Sequence, residues 1–391
     1  MLPALRDAAR WTASGVRVTL IDGSPYLYYS GMVPEYLGGI YSREAVRINL
    51  RQLCDDVGAH FVEARAANLD PERRCVTVDD GRTLSYDIAA IDIGARNPGY
   101  LPRAVRTKPL YHIDALADGI QAVLHGQAEH LRLVIAGGGA AGVEVALNVA
   151  GRFAAHKASA ALTLSIVEGA DRLLPDFPSG MSAYVSQRLQ ALGVDILCGT
   201  RVEAIDEGTV HLDTRRTLSA DVVLWATGSM GPALFEDAGL VCDDNGFARV
   251  TGTLQCMGHP RLFAAGDCAT IAGHESLRKV GVHAVKQGPI LRTNLDRSIS
   301  ALRAGRPPHD WSLDAFAPYP VAPLILSTGT ATGLWTAGSL WLRGRPFLRL
   351  KHVVDRQWIR AYNPHWQQTG PWQWIDAAAA ASSTAPVLSS R

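Results

Sequence analysis

No two of the six cysteines in this sequence form a C-x-x-C pair, and none stands at metal-ligand spacing from another. Scattered as Cys54, Cys75, Cys198, Cys242, Cys256 and Cys268, they argue against a metal site or a disulfide framework and for small buried thiols in a reducing compartment. An excess of one charge is also lacking: 38 lysines and arginines nearly cancel 37 aspartates and glutamates, so no global field selects nucleic acid or another polyanion. No continuous apolar segment opens the chain, and the charges within residues 1 to 15 argue against a signal peptide. The one long uncharged stretch, Ala315 to Leu342, is broken by Pro318, Pro320, Pro323, Gly329, Gly333 and Gly338. It reads as strands and turns packed on a core rather than a membrane span.

What the chain does have is length for two or three domains and one glycine-rich segment with chemistry in it. In LRLVIAGGGAAGVEVALNVAGRF, Leu131 to Ala136 reads as an apolar strand, Gly137, Gly139 and Gly142 fit G-x-G-x-x-G, and Val143 to Val149 continues as a helix. Gly137 permits the tight turn, Gly139 lets backbone approach a pyrophosphate, and Gly142 lets the helix sit close to the strand. The helix N-terminus then faces the phosphate charge. A second strand, Leu162 to Val167, ends in Glu168, placed to accept hydrogen bonds from an adenosine ribose. Its distance from the loop exceeds the usual ~20 residues, so the connection between them is extended. A carboxylate there repels a 2′-phosphate and favours NADH, while the nearby Arg172 leaves NADPH open.

Other markers have the same shape. Leu5 to Trp11 reads as the end of a helix, Gly15 as its stop, and Val16 to Ile21 as a strand closed by Asp22, the second half of a nucleotide-binding βαβ unit. Tyr86 to Asn97 is a strand ending at a Gly94 turn, and Val222 to Trp225 runs into Thr227 and Gly228. Such endings are common in α/β proteins, and their pairing is what suggests two nucleotide-binding domains. Leu262 to Ala265 carries Gly266 and Asp267 at its carboxyl end.

Together these residues resemble the pyridine nucleotide-disulfide oxidoreductase superfamily. The resemblance is nearest to NADH dehydrogenase-like proteins found beside or fused to selenide, water dikinase, through Tyr29 to Ser42, Trp225 to Leu240, Lys279 to Leu291 and Leu348 to Asn363. It implies an α/β fold with two Rossmann-like domains, for FAD and NAD(H), plus a C-terminal α+β cap. Residues 1–110 would begin the FAD domain, 111–250 form the NAD(H) domain, 251–305 return to the FAD domain, and 306–391 make the cap and tail. Carried over by position, Asp22, Gly94, Gly266, Asp267 and Gln287 would serve FAD. Gly137, Gly139, Gly142, Glu168, Thr227 and Gly228 would serve NADH, with Glu144 facing the nicotinamide side. Lys279 and Lys286 would lie near the flavin or be solvated surface lysines. His283 would deliver a proton to the acceptor or be a structural histidine.

The resemblance has two departures. GMVPEYLGGIY lacks the paired cysteines that disulfide reductases place beside the flavin, so electrons would leave directly for a quinone or another small acceptor. By the family pattern the first strand and glycine loop would precede Met1, which leaves a second expectation: a truncated, non-catalytic NADH-binding partner in selenium metabolism. Near the other end, Arg343, Arg345, Arg349, Lys351, Arg356 and Arg360 stand against one acid, Asp355, with Phe347, Trp358, Trp366, Trp372 and Trp374 nearby. The stretch 343–374 would rest on an anionic membrane surface or pack over the flavin domain. The expected location is cytoplasmic, with peripheral contact to the inner membrane face under the first of these readings. The tail 377–391 reads as disordered.

Overall fold

The computed structural model describes residues 1–363 and 366. Trp372, Trp374 and the tail from 377 lie outside the described residues. Two compact units are each drawn from three stretches of chain. The first holds Met1–Leu27, Ile48–Pro98 and Ser229–Ala322, and the second holds Tyr28–Arg47, Gly99–Gly228 and the described residues from Pro323 onward. The α/β architecture with parallel Rossmann-like elements that the sequence predicts is the one the chain forms.

In the second unit Leu131–Ala136 is the central strand of five parallel strands. Their order is Asp195–Cys198, Leu162–Glu168, Leu131–Ala136, Val222–Trp225, Val105–Arg106. Leu133, Val134, Ile135 and Ala136 are all buried, as suits a parallel strand covered on both faces. The chain turns at Gly137, with φ of +115°, into the helix Ala140–Ala155, in which every residue from Gly142 to Phe153 is buried. This 16-residue helix and the short turn Ser159–Ala161 account for the long interval before Glu168.

The uncharged stretch supplies an antiparallel sheet in the same unit, Leu324–Ser327, Gly333–Ala337 and Leu340–Gly344. The helix Arg345–Arg360 follows it. Gly151 and Gly329 let the sheet's first turn touch the Ala140–Ala155 helix backbone to backbone: a Cβ on Gly151 would lie 2.2 Å from the Gly329 carbonyl oxygen. Among the described residues no helix is long and apolar enough to cross a membrane.

The first unit pairs Thr19–Asp22 with His60–Glu63 in parallel. A five-stranded sheet runs in the order Ala269–Ile271, Ala248–Val250, Gln255–Cys256, His259–Ala264, Ala89–Ile91. Helix Leu2–Ala13 buries Leu2, Leu5, Ala8 and Trp11, and Trp11 Nε1 donates to Asp296 Oδ1 at 2.8 Å, on helix Gly281–Arg303. The strand expected from Val16 begins at Thr19 instead. The Val16 amide donates back to the Trp11 carbonyl at 3.0 Å, which ties Ser14 to Val16 to the helix end.

Candidate functional site

The ends of Leu131–Ala136 and Val222–Trp225 converge at the glycine loop, where a Cβ on Gly137 would lie 2.4 Å from the Ala226 carbonyl oxygen. Thr227 and Gly228 follow directly. One on Gly142 would meet the Gly137 carbonyl oxygen at 2.0 Å, whereas nothing lies within 4 Å of one on Gly139. The loop is therefore closed toward the protein and open at its middle glycine. Beside it, Glu168 is fixed by two amides: Gly138 N donates to Oε2 at 2.6 Å and Ala170 N to Oε1 at 2.7 Å. Arg172 is engaged by its own turn, donating to the carbonyls of Leu174, Pro175 and Phe177.

A turn into that helix stands Glu144, 8% exposed, whose Oε1 accepts from Ser327 N at 2.7 Å. Asn148, one turn further on, donates to the Glu144 carbonyl at 2.8 Å and to Ser327 Oγ at 2.6 Å. Helix, sheet and carboxyl are thus locked together. Burial pushes the Glu144 carboxyl up to about 7; the Lys351 ammonium and the Ser327 amide oppose this, and the Glu35 and Asp355 charges reinforce it.

Those charges form a buried cluster. Lys351 Nζ donates to Glu35 Oε2 at 2.7 Å, to Asp355 Oδ2 at 2.8 Å and to the Gly31 carbonyl. His352 Nε2 bonds Glu35 Oε1 at 2.6 Å. Burial alone would raise the Glu35 carboxyl, but Lys351 and His352 outweigh it and hold it below the ordinary value. Burial would lower Lys351, but Glu35, Asp355 and Glu144 hold it well above. Burial raises Asp355, and Lys351 offsets this in part. Tyr29, whose ring stacks on Trp358 at 4.2 Å, hydrogen-bonds Asp355.

In the first unit a shallow depression is lined by Gly266, Asp267, Lys279, His283 and Gln287. Gln287 Oε1 accepts from Gly266 N at 2.6 Å. Lys279, which burial lowers despite nearby Asp243, donates to the Ala269 carbonyl and to Thr270 Oγ1. Lys286 lies 3.8 Å over the Tyr319 ring. His283 is buried, with Nδ1 lacking a partner; burial, then Lys286, holds its pKa below the ordinary value. Asp22 and Gly94 do not line this depression. Asp22 accepts from Ser24 N at 2.9 Å, and Gly94 turns with φ of +67°.

The sequence profile of the pyridine nucleotide-disulphide oxidoreductases matches residues 2–288. The chain belongs to that family. It is 24% identical over 258 residues to the NADH dehydrogenase-like protein YutJ of Bacillus subtilis, covering 66% of this chain and 70% of YutJ. It is 22% identical over 369 residues to a type II NADH:quinone oxidoreductase of Staphylococcus saprophyticus, covering 88% of each. Further curated relatives are matched over 56% to 59% of their own length. In fold it resembles NDH2 of Plasmodium falciparum solved with NADH, with a TM-score of 0.74, 15% identity, and coverage of 97% of this chain and 94% of that one.

Oxidoreductases of this family use FAD and a pyridine nucleotide, and the residues present fit both. The open Gly139 leaves room for a pyrophosphate where the flanking glycines leave none. The unpartnered His283 Nδ1 and the Gly266–Asp267 strand end give the first unit's depression polar groups for a second cofactor. All six cysteines are free. The sequence reading missed Glu35, His352 and the inward turn of Lys351 and Asp355. The available signals were a lone acid within MVPEYL and an i, i+4 lysine–aspartate pair.

Proposed function

We propose that this chain is an FAD-dependent oxidoreductase that takes hydride from NADH and passes the electrons to a quinone with no disulfide between. One observation carries the reading: the nucleotide loop is built complete beside a fixed Glu168, while the cysteines stand free. Relatives named as NADH:quinone oxidoreductases support it. Gly137, Gly139, Gly142, Thr227 and Gly228 would hold NADH, with Glu168 on its ribose. Asp22, Gly94, Gly266, Asp267 and Gln287 would hold FAD, with Lys279 and Lys286 beside it. When bound, FAD accepts the hydride and hands on two electrons. The chain supplies position and charge.

Reducing a quinone to a quinol consumes two electrons and two protons, of which NADH brings both electrons and one proton. A carboxyl that keeps its proton near neutrality suits the remaining transfer, and Glu144 is that group.

Membrane contact through the cap forms part of this proposal. On helix Arg345–Arg360 the buried face carries Lys351, His352 and Asp355, while Leu350, Val353 and Val354 are exposed. Leu348 and Ile359 are buried beside them, so the helix has a mixed buried face and an apolar patch left on its outer one. With exposed Leu340 and Leu342 on the preceding strand and exposed Arg345 and Arg349, the face suits an anionic bilayer. Flotation with anionic vesicles should carry the protein, and Leu350→Glu with Val353→Glu should abolish it. Tyr29 to Ser42 and Leu348 to Asn363, which carry the likeness to the branch beside selenide, water dikinase, also supply the ion cluster. Placing the chain in that branch rests on the sequence likeness alone and is testable by co-purification with that enzyme.

The test of the function is anaerobic. Protein reconstituted with FAD should be yellow, bleach on adding NADH, and recover its colour on adding menadione. A protein that takes up no FAD, or is not bleached, would overturn the reading.

A further inference from the structure

Glu35 is the sole acid in the five-residue helix Val33–Leu37 and is completely buried. An ionised carboxylate in that position is costly unless paired and hydrogen-bonded. Its two oxygens are taken by Lys351 and His352. Lys351 has three N–H donors, and all three are placed, on Gly31, Glu35 and Asp355. None remains for Glu144.

The Ser327 amide from the sheet bonds Glu144, and the charges that act on it are Lys351 and Asp355 from helix Arg345–Arg360 and Glu35 from Val33–Leu37. One ammonium therefore serves three carboxyls, and hydrogen-bonds two of them. We propose that Glu35 is a positioning residue for proton supply: by clamping Lys351 and His352 it holds the ammonium's N–H donors away from Glu144, adds its own like charge, and leaves Glu144 as the carboxyl that carries and releases the proton. This rests on the proposed quinone reductase activity. In the step it serves, the Glu144 O–H bond breaks and an O–H bond forms on the quinone, whose two electrons and other proton come from NADH. Glu144 is left as carboxylate and regains its proton from water.

The test is an infrared pH titration of the protonated-carboxyl stretch, assigned by its loss in Glu144→Gln. It requires neither quinone nor turnover. Glu35→Gln removes a like charge, so the midpoint should fall by roughly one unit or more, while Glu35→Asp, which keeps the charge, stays near the wild-type midpoint. Asp355→Asn should move the midpoint in the same direction, and it decides the matter if Glu35→Gln does not fold. A midpoint that stays put or rises in these neutralised variants, even with lowered thermal stability, would make Glu35 merely structural and overturn the proposal. NADH bleaching of the wild type, run in parallel, reports on the activity separately. Wild-type protein that NADH fails to bleach would overturn the activity, while the titration would still report on Glu35.

Discussion

Lys351 and Glu35 are separated by 316 residues of sequence and by 2.7 Å in the fold. Both are essentially buried, with side chains 6% and 0% exposed. A pair this dry adds little net stability over an apolar pair, but breaking it from one side strands a charge. Lys351→Met should therefore destabilise the protein by about 3 to 5 kcal/mol in chemical denaturation. The double variant Lys351→Met with Glu35→Met should recover much of that loss. Equal stability of Lys351→Met and wild type would contradict the buried ion pair.

Glu144 gives the cluster a pH signature in stability. Its carboxyl is raised from an ordinary 4.5 to about 7, so the folded state favours the protonated form. That contribution is fully present below pH 4.5 and is lost as pH rises through about 7. Glu144→Gln cannot lose it. Across this window the variant should gain on wild type by roughly 3 kcal/mol, seen as a widening gap in melting temperature. A constant gap would place the Glu144 pKa near its ordinary value.

The glycines of the nucleotide loop should separate folding from binding. Gly142→Ala places a methyl 2.0 Å from the Gly137 carbonyl and should cost about 1 to 3 kcal/mol through overpacking. Gly139→Ala meets no atom within 4 Å, so its melting temperature should match wild type while NADH binding, followed by fluorescence, is lost. Retained NADH affinity in Gly139→Ala would move the pyrophosphate elsewhere.

Much of this loop could be read before folding, because parallel strands buried on both faces leave apolar runs such as Leu131–Ala136 and Val222–Trp225, and a glycine loop between strand and helix has few other uses. The ion cluster could not be read so readily. Lysine and aspartate are surface residues by default, so the basic, aromatic stretch reads as resting on an anionic membrane or packing over the flavin domain, with no sign of a buried ion cluster. Arg345–Arg360 instead turns Lys351, His352 and Asp355 inward. Their partner Glu35 lies hundreds of residues away, beyond the reach of any local periodicity. The late start of Thr19–Asp22 was hidden for a related reason: the Val16 amide bonds the helix end behind it, which strand propensity does not register.

Cofactor preference follows from Glu168 and Arg172. NADH should outperform NADPH in kcat/KM, because Glu168 is fixed as an acceptor beside the loop. Glu168→Ala should lower NADH efficiency about tenfold or more, the loss expected for a charge-assisted hydrogen bond, and narrow the preference. Arg172→Ala should leave the preference alone, since its guanidinium serves the Leu174, Pro175 and Phe177 carbonyls. A preference for NADPH would contradict this assignment.

The most direct test separates the two halves of the reaction in FAD-loaded wild type and Glu144→Gln by stopped flow. NADH should bleach both proteins at similar rates, while menadione should restore colour roughly a hundredfold more slowly in the variant. Equal reoxidation rates would contradict proton supply by Glu144, and no bleaching in wild type would contradict the oxidoreductase itself.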